Sequence, residues 1–453
     1  MSESEQRSTA GMEEARSSGS EAVIASASFA PSAAAIDDKT DRPNVGPRYV
    51  TFLLLAVAGV NIALVAPIGL SLALRVQALA PDNVEFLGFI IAIASTVGLF
   101  ANALVGMWSD RTRTRWGSRR PFAFAGAVAG LVGVLVMATA GDLIVLTVGW
   151  IVTSIGFGVT MNALLMSQAD RLAPDQRGRI AGLSGVLAMV SAVIGVSIAS
   201  TLVASSFLVF LIPGALGFLA ALLWVVFVKE ASSVDAPERP RLGIRGVLRG
   251  LVFDPRMYPN FAWNWLGRLC FYIAIQFATT FTTLFFASRL TTSGQIADLG
   301  PFIAILSLIG AVATSFGAFG SGYFSDKLKR RRVFVLGAAI IFTTGALTMA
   351  LGGSNTALLI AGTVVMNMGL GIFVAVDQAI VLDIIPDGDA GRFLGINGYS
   401  SSLAQGVAPA LAVPLLLIGV SGPEKNYALL LVIAAVCSLA AGIIVTTKVR
   451  GTS

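Results

Sequence analysis

The sequence contains no histidine, and only two of its 453 residues are cysteine. Without imidazole there is no histidine-ligated metal site, no Ser–His or Cys–His pair and no histidine proton relay. Cys270 and Cys437 both sit in apolar runs, so no disulfide framework is implied. Charge is scarce as well. Asp, Glu, Lys and Arg make up 12% of the chain, where a soluble domain carries about 25%. That excludes an ordinary soluble globular protein, a disordered chain and an ordinary nucleic-acid binder. Apolar residues are abundant, at 55% hydrophobic with a mean hydropathy of +0.82. No nucleophile–base set, metal cluster or nucleotide loop stands out, so neither an enzyme nor a bound cofactor or metal is expected.

A membrane-crossing helix needs about 20 apolar residues, because the hydrocarbon layer is ~30 Å thick and the rise is about 1.5 Å per residue. Apolar stretches recur from Tyr49 to Thr447 and predict twelve crossings, at 49–73, 84–108, 121–140, 143–168, 179–203, 206–228, 257–287, 298–323, 333–352, 356–383, 391–419 and 425–447. They lack the period-2 alternation of barrel strands, so the expected fold class is an all-α membrane protein. Residues 1–47, rich in Ser, Ala and Glu, read as a disordered cytoplasmic tail with no signal peptide. The polar stretch 229–256 reads as a cytoplasmic linker dividing one six-helix bundle, 48–228, from a second, 257–448.

Orientation follows from the basic residues. With the amino terminus inside, the inner segments collect 27 of the 31 Lys and Arg, and the outer loops hold only Arg75, Arg289 and Lys425. The remaining one, Arg268, lies within a predicted helix. Both termini are therefore expected in the cytoplasm, and the chain in the cytoplasmic (inner) membrane.

The two halves repeat. Gly106-Met-Trp-Ser-Asp110-Arg111 matches Gly322-Tyr-Phe-Ser-Asp326-Lys327 at an offset of 216, each after the second helix of its half. Pro174-Asp175 with Gly178-Arg179 matches Pro386-Asp387 with Gly391-Arg392 at 212 or 213, each after the fourth. Two motifs in one order and at nearly one spacing point to a parallel duplication of six helices.

The stretch Gly106 to Pro121, GMWSDRTRTRWGSRRP, resembles the signature loop between helices 2 and 3 of the major facilitator superfamily. Its extended form, with Arg115-Trp116-Gly117 and Arg119-Arg120-Pro121, resembles the glycoside–pentoside–hexuronide and sucrose-permease branch. The resemblance covers about residues 45–450. It implies two six-helix bundles around a central cavity that opens alternately to either side. It also implies a cytoplasmic lock between the bundles, built on Gly106, Asp110, Arg111, Arg119 and Arg120 and mirrored by Gly322, Asp326 and Lys327. The alternative is a basic loop that only sets topology. Such a lock must be weak, because screened pairs are worth ~0–1 kcal/mol and a strong one would trap one state.

Arg268 lies in helix 7 at a depth of ~18 Å, where a lone Arg costs ~2.5–3.5 kcal/mol. It needs a partner or a wet cavity. Asp377 in helix 10 is the sole carboxylate well inside a predicted span. In the resembling fold helices 7 and 10 both face the central cavity, so Arg268 and Asp377 are expected to approach each other there. The pair is either structural or open to competition from substrate or a proton. With no histidine, proton coupling needs a carboxylate, and Asp377 is the candidate.

Further polar residues in the spans are Asn61 in helix 1, Asn162 in helix 4, Asn264, Tyr272 and Gln276 in helix 7, Asn367 and Gln378 in helix 10, and Asn397 and Gln405 in helix 11. Asn264, Arg268 and Tyr272 share one helix face, as do Asn397, Ser401 and Gln405. Such stripes read as cavity walls or as interhelical hydrogen bonding.

The chain departs from its branch in places. Helix 2 lacks the aspartates of sodium-coupled melibiose-type permeases. Helix 1 has Asn61 where sucrose–proton permeases have an aspartate, and the nearest arginine to helix 4 is Arg171, past its end. Helix 5 has Gly182, Gly185 and Gly195 but not the Gly-Pro signature of drug–proton antiporters. The expected function is secondary transport of a small polar solute, a sugar or glycoside, with protons as coupling ion. The expected surroundings are the lipid bilayer, with no nucleic-acid partner and a monomeric state. The rival readings are a drug or metabolite exporter of the same fold and a non-transporting relative, an assembly factor or a sensor.

Overall fold

The computed structural model describes residues 44–230, 232, 234, 253–291, 295–328, 330–385, 390–419 and 425–449. Most of the expected tail and of the expected linker lies outside the described residues. Everything regular within them is helical: α1 (Pro47–Leu79), α2 (Phe86–Arg111), α3 (Arg120–Ala138), α4 (Leu143–Arg171), α5 (Pro174–Thr201), α6 (Leu208–Phe227), α7 (Pro259–Thr280, then Thr282–Leu290), α8 (Gly300–Leu328), α9 (Arg331–Leu351), α10 (Thr356–Ile384), α11 (Ala390–Leu416) and α12 (Tyr427–Lys448). Among the described residues, nine helical stretches are long and apolar enough to cross a membrane, and a tenth is if the bent α7 counts as one. That is fewer than the twelve expected. Of α2 only Phe86–Ala101 enters that count, because several side chains from Asn102 onward lie outside the described residues. In α11 the polar Asn397, Ser400, Ser401, Ser402 and Gln405 and two internal prolines dilute the apolar run.

Helix ends are set by local chemistry. Proline opens α1, α5 and α7, where its missing N–H costs nothing. The Asp142 carboxylate accepts the backbone N–H of Ile144 and Val145 at 2.8 Å and starts α4. Asn355, 213 positions later, accepts those of Ala357 at 3.0 Å and Leu358 at 3.3 Å and starts α10.

Helix pairing repeats in the same way. In the first half α3 packs on α4 and α6, α1 on α5 and α6, and α2 on α4. In the second, α9 packs on α10 and α12, α7 on α11 and α12, and α8 on α10. Between halves, α2 packs on α11 and α5 on α8, which is one contact used twice. This is the two-bundle arrangement that the repeated motifs imply.

Close approach depends on small residues, since lipid gives helices no hydrophobic reason to associate. A Cβ at Gly133 of α3 would fall 2.7 Å from the Gly149 carbonyl of α4. The pair Gly345 and Gly362, 212 and 213 positions on, repeats this between α9 and α10, with the Gly345 Cβ 2.6 Å from the Gly362 carbonyl.

Two helices are interrupted at matching levels. α1 passes through a π-helical turn at Pro67–Ser71, and α7 bends by 42° at Phe281. Gly69 and Phe281 are 212 positions apart.

The Gly345 contact makes a test. Gly345→Val forces α9 from α10 and lowers stability by about 1–3 kcal/mol, read as thermal unfolding in detergent. Gly337→Ala, on the same helix with nothing within 4 Å of its added Cβ, leaves stability unchanged or slightly raised.

Candidate functional site

Among the described residues of the last six helices, two side chains of opposite charge are buried in the apolar interior, and the fold brings them together. Arg268 projects from α7 and Asp377 from α10, and Arg268 Nη1 forms an ion pair with Asp377 Oδ2. Asn264, one turn before Arg268, donates from Nδ2 to Asp377 Oδ1 at 3.1 Å. Tyr272, one turn after, receives a hydrogen bond from Arg268 Nη2 at 3.3 Å, and its ring centroid lies 4.9 Å from the guanidinium carbon. The i, i+4, i+8 spacing on α7 thus forms one strip of polar contacts. Phe271 of α7 stacks on Phe373 of α10 with centroids 3.6 Å apart and closes an apolar layer beside the pair.

The cluster is dry. Asn264 is 0%, Asp377 1% and Arg268 7% exposed. Arg268 therefore faces its partners rather than lipid. Its own charge is neutralised, yet the cluster is not saturated. Asn264 Oδ1 and Arg268 Nε are buried with no hydrogen-bond partner among the described residues, as is Asn397 Oδ1 on α11. The Asn264 amide is oriented by chemistry: the carboxylate accepts only, so Nδ2 must face it and Oδ1 must face away. Trp265 Nε1 donates to the Ile396 carbonyl at 3.0 Å, tying α7 to α11 one residue from Asn264 and from Asn397.

The other sequence candidates are spread out. Asn61 donates to Val57 of its own helix at 2.9 Å. Asn367 donates to its own Thr363 carbonyl and accepts from Thr314 of α8 at 3.4 Å, so it ties α10 to α8. Asn162, Gln276, Gln378 and Gln405 are half-buried on α4, α7, α10 and α11. No described hydrogen bond joins these six to the Arg268–Asp377 cluster.

For the signature loop, the surroundings of Gly106 and the side chains of Asp110, Arg111 and Asp326 lie outside what is described. Gly322 is half-buried, and exposed Lys327 sits 6.0 Å from the Tyr323 ring centroid. Arg119 and Arg120 make their described contacts inside their own half. Arg119 Nε pairs with Asp170 of α4 at 3.1 Å and its Nη1 reaches Ser109 Oγ at 2.9 Å. Arg120 Nε donates to the Val225 carbonyl near the end of α6 at 2.9 Å. Glu230 accepts both backbone N–H groups, at 3.0 and 3.1 Å, and so caps α3.

The sequence reading missed the counterpart of this dyad. Arg331 and Arg332 stand 212 positions later. Arg331 pairs with Asp383 of α10 at 2.7 Å, and Arg332 Nη1 donates to the Val449 carbonyl just past α12 at 2.7 Å. In each half the first arginine holds the end of the fourth helix and the second the end of the sixth, where carbonyls have no helical partner. The signal was present in the repeat, since Arg119-Arg120 and Arg331-Arg332 both stand at a helix start.

The ion pair sets up a stability test. Arg268→Ala leaves Asp377 buried without its cation, and the thermal unfolding free energy falls by about 3–5 kcal/mol. The double variant Arg268→Met/Asp377→Leu removes both charges and recovers most of the loss. If the double variant is no more stable than the single one, the pair is not what holds this region.

A model of the Major Facilitator Superfamily matches residues 49–409 and again 311–452. A sucrose transport protein of Arabidopsis thaliana is 37% identical over 121 residues, covering 24% of this chain and 22% of the relative. Myo-inositol transporter 3C of Cryptococcus neoformans is 30% identical over 131 residues, 29% and 20% of the two chains. A probable 4-methylmuconolactone transporter of Cupriavidus pinatubonensis is 33% identical over 116 residues, 26% of each. The matches thus span about a quarter of the length of these curated relatives. Among solved structures, the nucleoside transporter NupG superposes with a TM-score of 0.69 at 12% identity, covering 89% of this chain and 99% of that one. A bacterial homologue of the human lysosomal transporter Spinster does so with a TM-score of 0.60 at 15% identity, covering 88% and 95%. At that identity they establish the fold alone.

Proposed function

Since this chain belongs to the Major Facilitator Superfamily, a family of solute carriers rather than enzymes, we propose that it moves a neutral, polyhydroxylated solute, a sugar or glycoside, across the cytoplasmic membrane by alternating access. The observation that carries this reading is the self-neutralised Arg268–Asp377 pair with Asn264 Oδ1 and Arg268 Nε unmet beside it. A hydroxyl both donates and accepts, so one solute face answers both. A carboxylate offers acceptors only, leaves Asn264 Oδ1 unmet and adds an unpaired charge to a dry site. The names of two relatives, for sucrose and for myo-inositol, agree with this chemistry.

Protons are the coupling ion in this reading, and Asp377 carries them. A proton on Asp377 cancels the charge that holds Arg268, so proton binding and release of the α7–α10 contact are one event. The excess of Lys and Arg in the segments assigned inside supports cytoplasmic termini. The Arg119 and Arg331 dyads then lie at the cytoplasmic ends of the helices.

The experiment is transport in proteoliposomes with labelled sucrose and myo-inositol under an imposed proton gradient. The parent protein concentrates at least one of them. Asp377→Asn, which keeps a hydrogen-bonding group at the site, equilibrates and exchanges the solute but no longer concentrates it. Continued accumulation by Asp377→Asn removes the proton role. Absence of any sugar or polyol flux by the parent removes the solute class.

A further inference from the structure

Glu85, just before α2, and Lys425, just before α12, come from opposite ends of the sequence and meet in the structure. Lys425 Nζ lies 2.9 Å from Glu85 Oε2, and the two side chains are 5% and 8% exposed. We propose that this pair is the switchable element of a latch that holds the two bundles together at the end opposite the arginine dyads. It rests on the alternating-access reading and goes beyond it by naming what must part.

Other inter-bundle contacts cluster at the same end. Thr283 Oγ1, two residues past the bend of α7, donates to the Gly69 carbonyl in the π-helical turn of α1 at 2.8 Å. The interruptions of the two repeat-related helices are thus bonded to each other. Gln77, near the end of α1, accepts from the backbone N–H of Ile296 at 3.0 Å. On α2, one turn into the helix, a Cβ at Gly88 would fall 2.9 Å from Val413 Cγ2 of α11 and 3.0 Å from Phe281 Cζ. On the α5–α8 side a Cβ at Gly300 would fall 2.8 Å from the Ser200 carbonyl. These are the ends of α1, α2, α5, α7, α8, α11 and α12 that face away from Arg119 and Arg331.

The ion pair suits a latch better than an apolar seal would. Both charges are stable in the dry interface only together, and half of the pair is worse than none. When the bundles separate, each charge regains water, which offsets much of the lost attraction. The hydrogen bonds to Gly69 and Ile296 are single and neutral, so they aid closure without fixing it. Two helices bonded at their interruptions, the π-helical turn of α1 and the bend of α7, give the movement a place to occur, since a break in the helical ladder absorbs a change of direction that a continuous helix resists.

The test uses thiol labelling of purified protein in detergent and does not depend on which solute is carried. The background is Cys270→Ser/Cys437→Ser with Val413→Cys, a position buried behind the latch at 5% exposure. Glu85→Gln leaves the Lys425 ammonium facing an amide, favours the parted state and raises the labelling rate by about tenfold. Lys425→Met gives the same shift if Glu85→Gln does not fold. The exchanged pair Glu85→Lys/Lys425→Glu returns the rate to near that of the background. A labelling rate unchanged by both single variants, with the melting temperature lowered, identifies the pair as a fixed staple and overturns the proposal. So does an exchanged pair that labels as fast as the single variants.

Discussion

Hydrocarbon does not tolerate an unanswered charge, and the arrangement of the C-terminal bundle follows from that. Arg268 and Asp377 lie on neighbouring helices, each almost fully shielded, and each is the reason the other can be there. The same constraint runs through the backbone. Every N–H and C=O in the spans is best satisfied within its own helix, and the helix ends are closed by Asp142, Asn355, Asn426, Glu230 and the arginine dyads. What is left unsatisfied in such a setting is informative. Asn264 Oδ1 and Arg268 Nε stand beside a neutral pair in a place where an idle polar atom is costly.

The scaffold is a solution used twice, and the site is not. Helix caps, glycine contacts, arginine dyads and helix interruptions all recur 212 or 213 positions apart. At the same offsets Arg268 and Asp377 correspond to Ala56 and Leu164. Duplication therefore accounts for the matching packing of the two bundles. The buried Arg268–Asp377 pair lies in the second of them. The frame is symmetric and the charges are not, so one of two similarly packed bundles holds the polar cluster.

Much of this was legible in the amino-acid order because hydropathy and repeat spacing are local signals. The ends of α3, α6, α9 and α12 fall within a few residues of where apolar runs begin and stop. Asp377 stood out as the sole carboxylate well inside a span, and Arg268 as the sole cation. The bend of α7 at Phe281 was not legible, because the 257–287 run is apolar on both sides of it and the contact beside it, Thr283 with Gly69, joins residues more than 200 positions apart. The arginine dyads were read as charge that sets topology or a lock. Their work on the ends of α4, α6, α10 and α12 depends on which helices pack together, which spacing alone does not reveal. The polar stripe on α11 was legible as a stripe. That Asn397 Oδ1 has no partner among the described residues while Asn61 and Asn367 have theirs is a matter of rotamer and neighbour.

The most direct measurement of the central claim is a cryo-electron-microscopy map of the protein with a transported solute bound. The account predicts solute density against the α7–α10 face, with a hydroxyl in hydrogen-bond reach of Asn264 Oδ1 and Arg268 Nε. Solute density seated elsewhere, with the Arg268–Asp377 cluster unchanged and untouched, would contradict it.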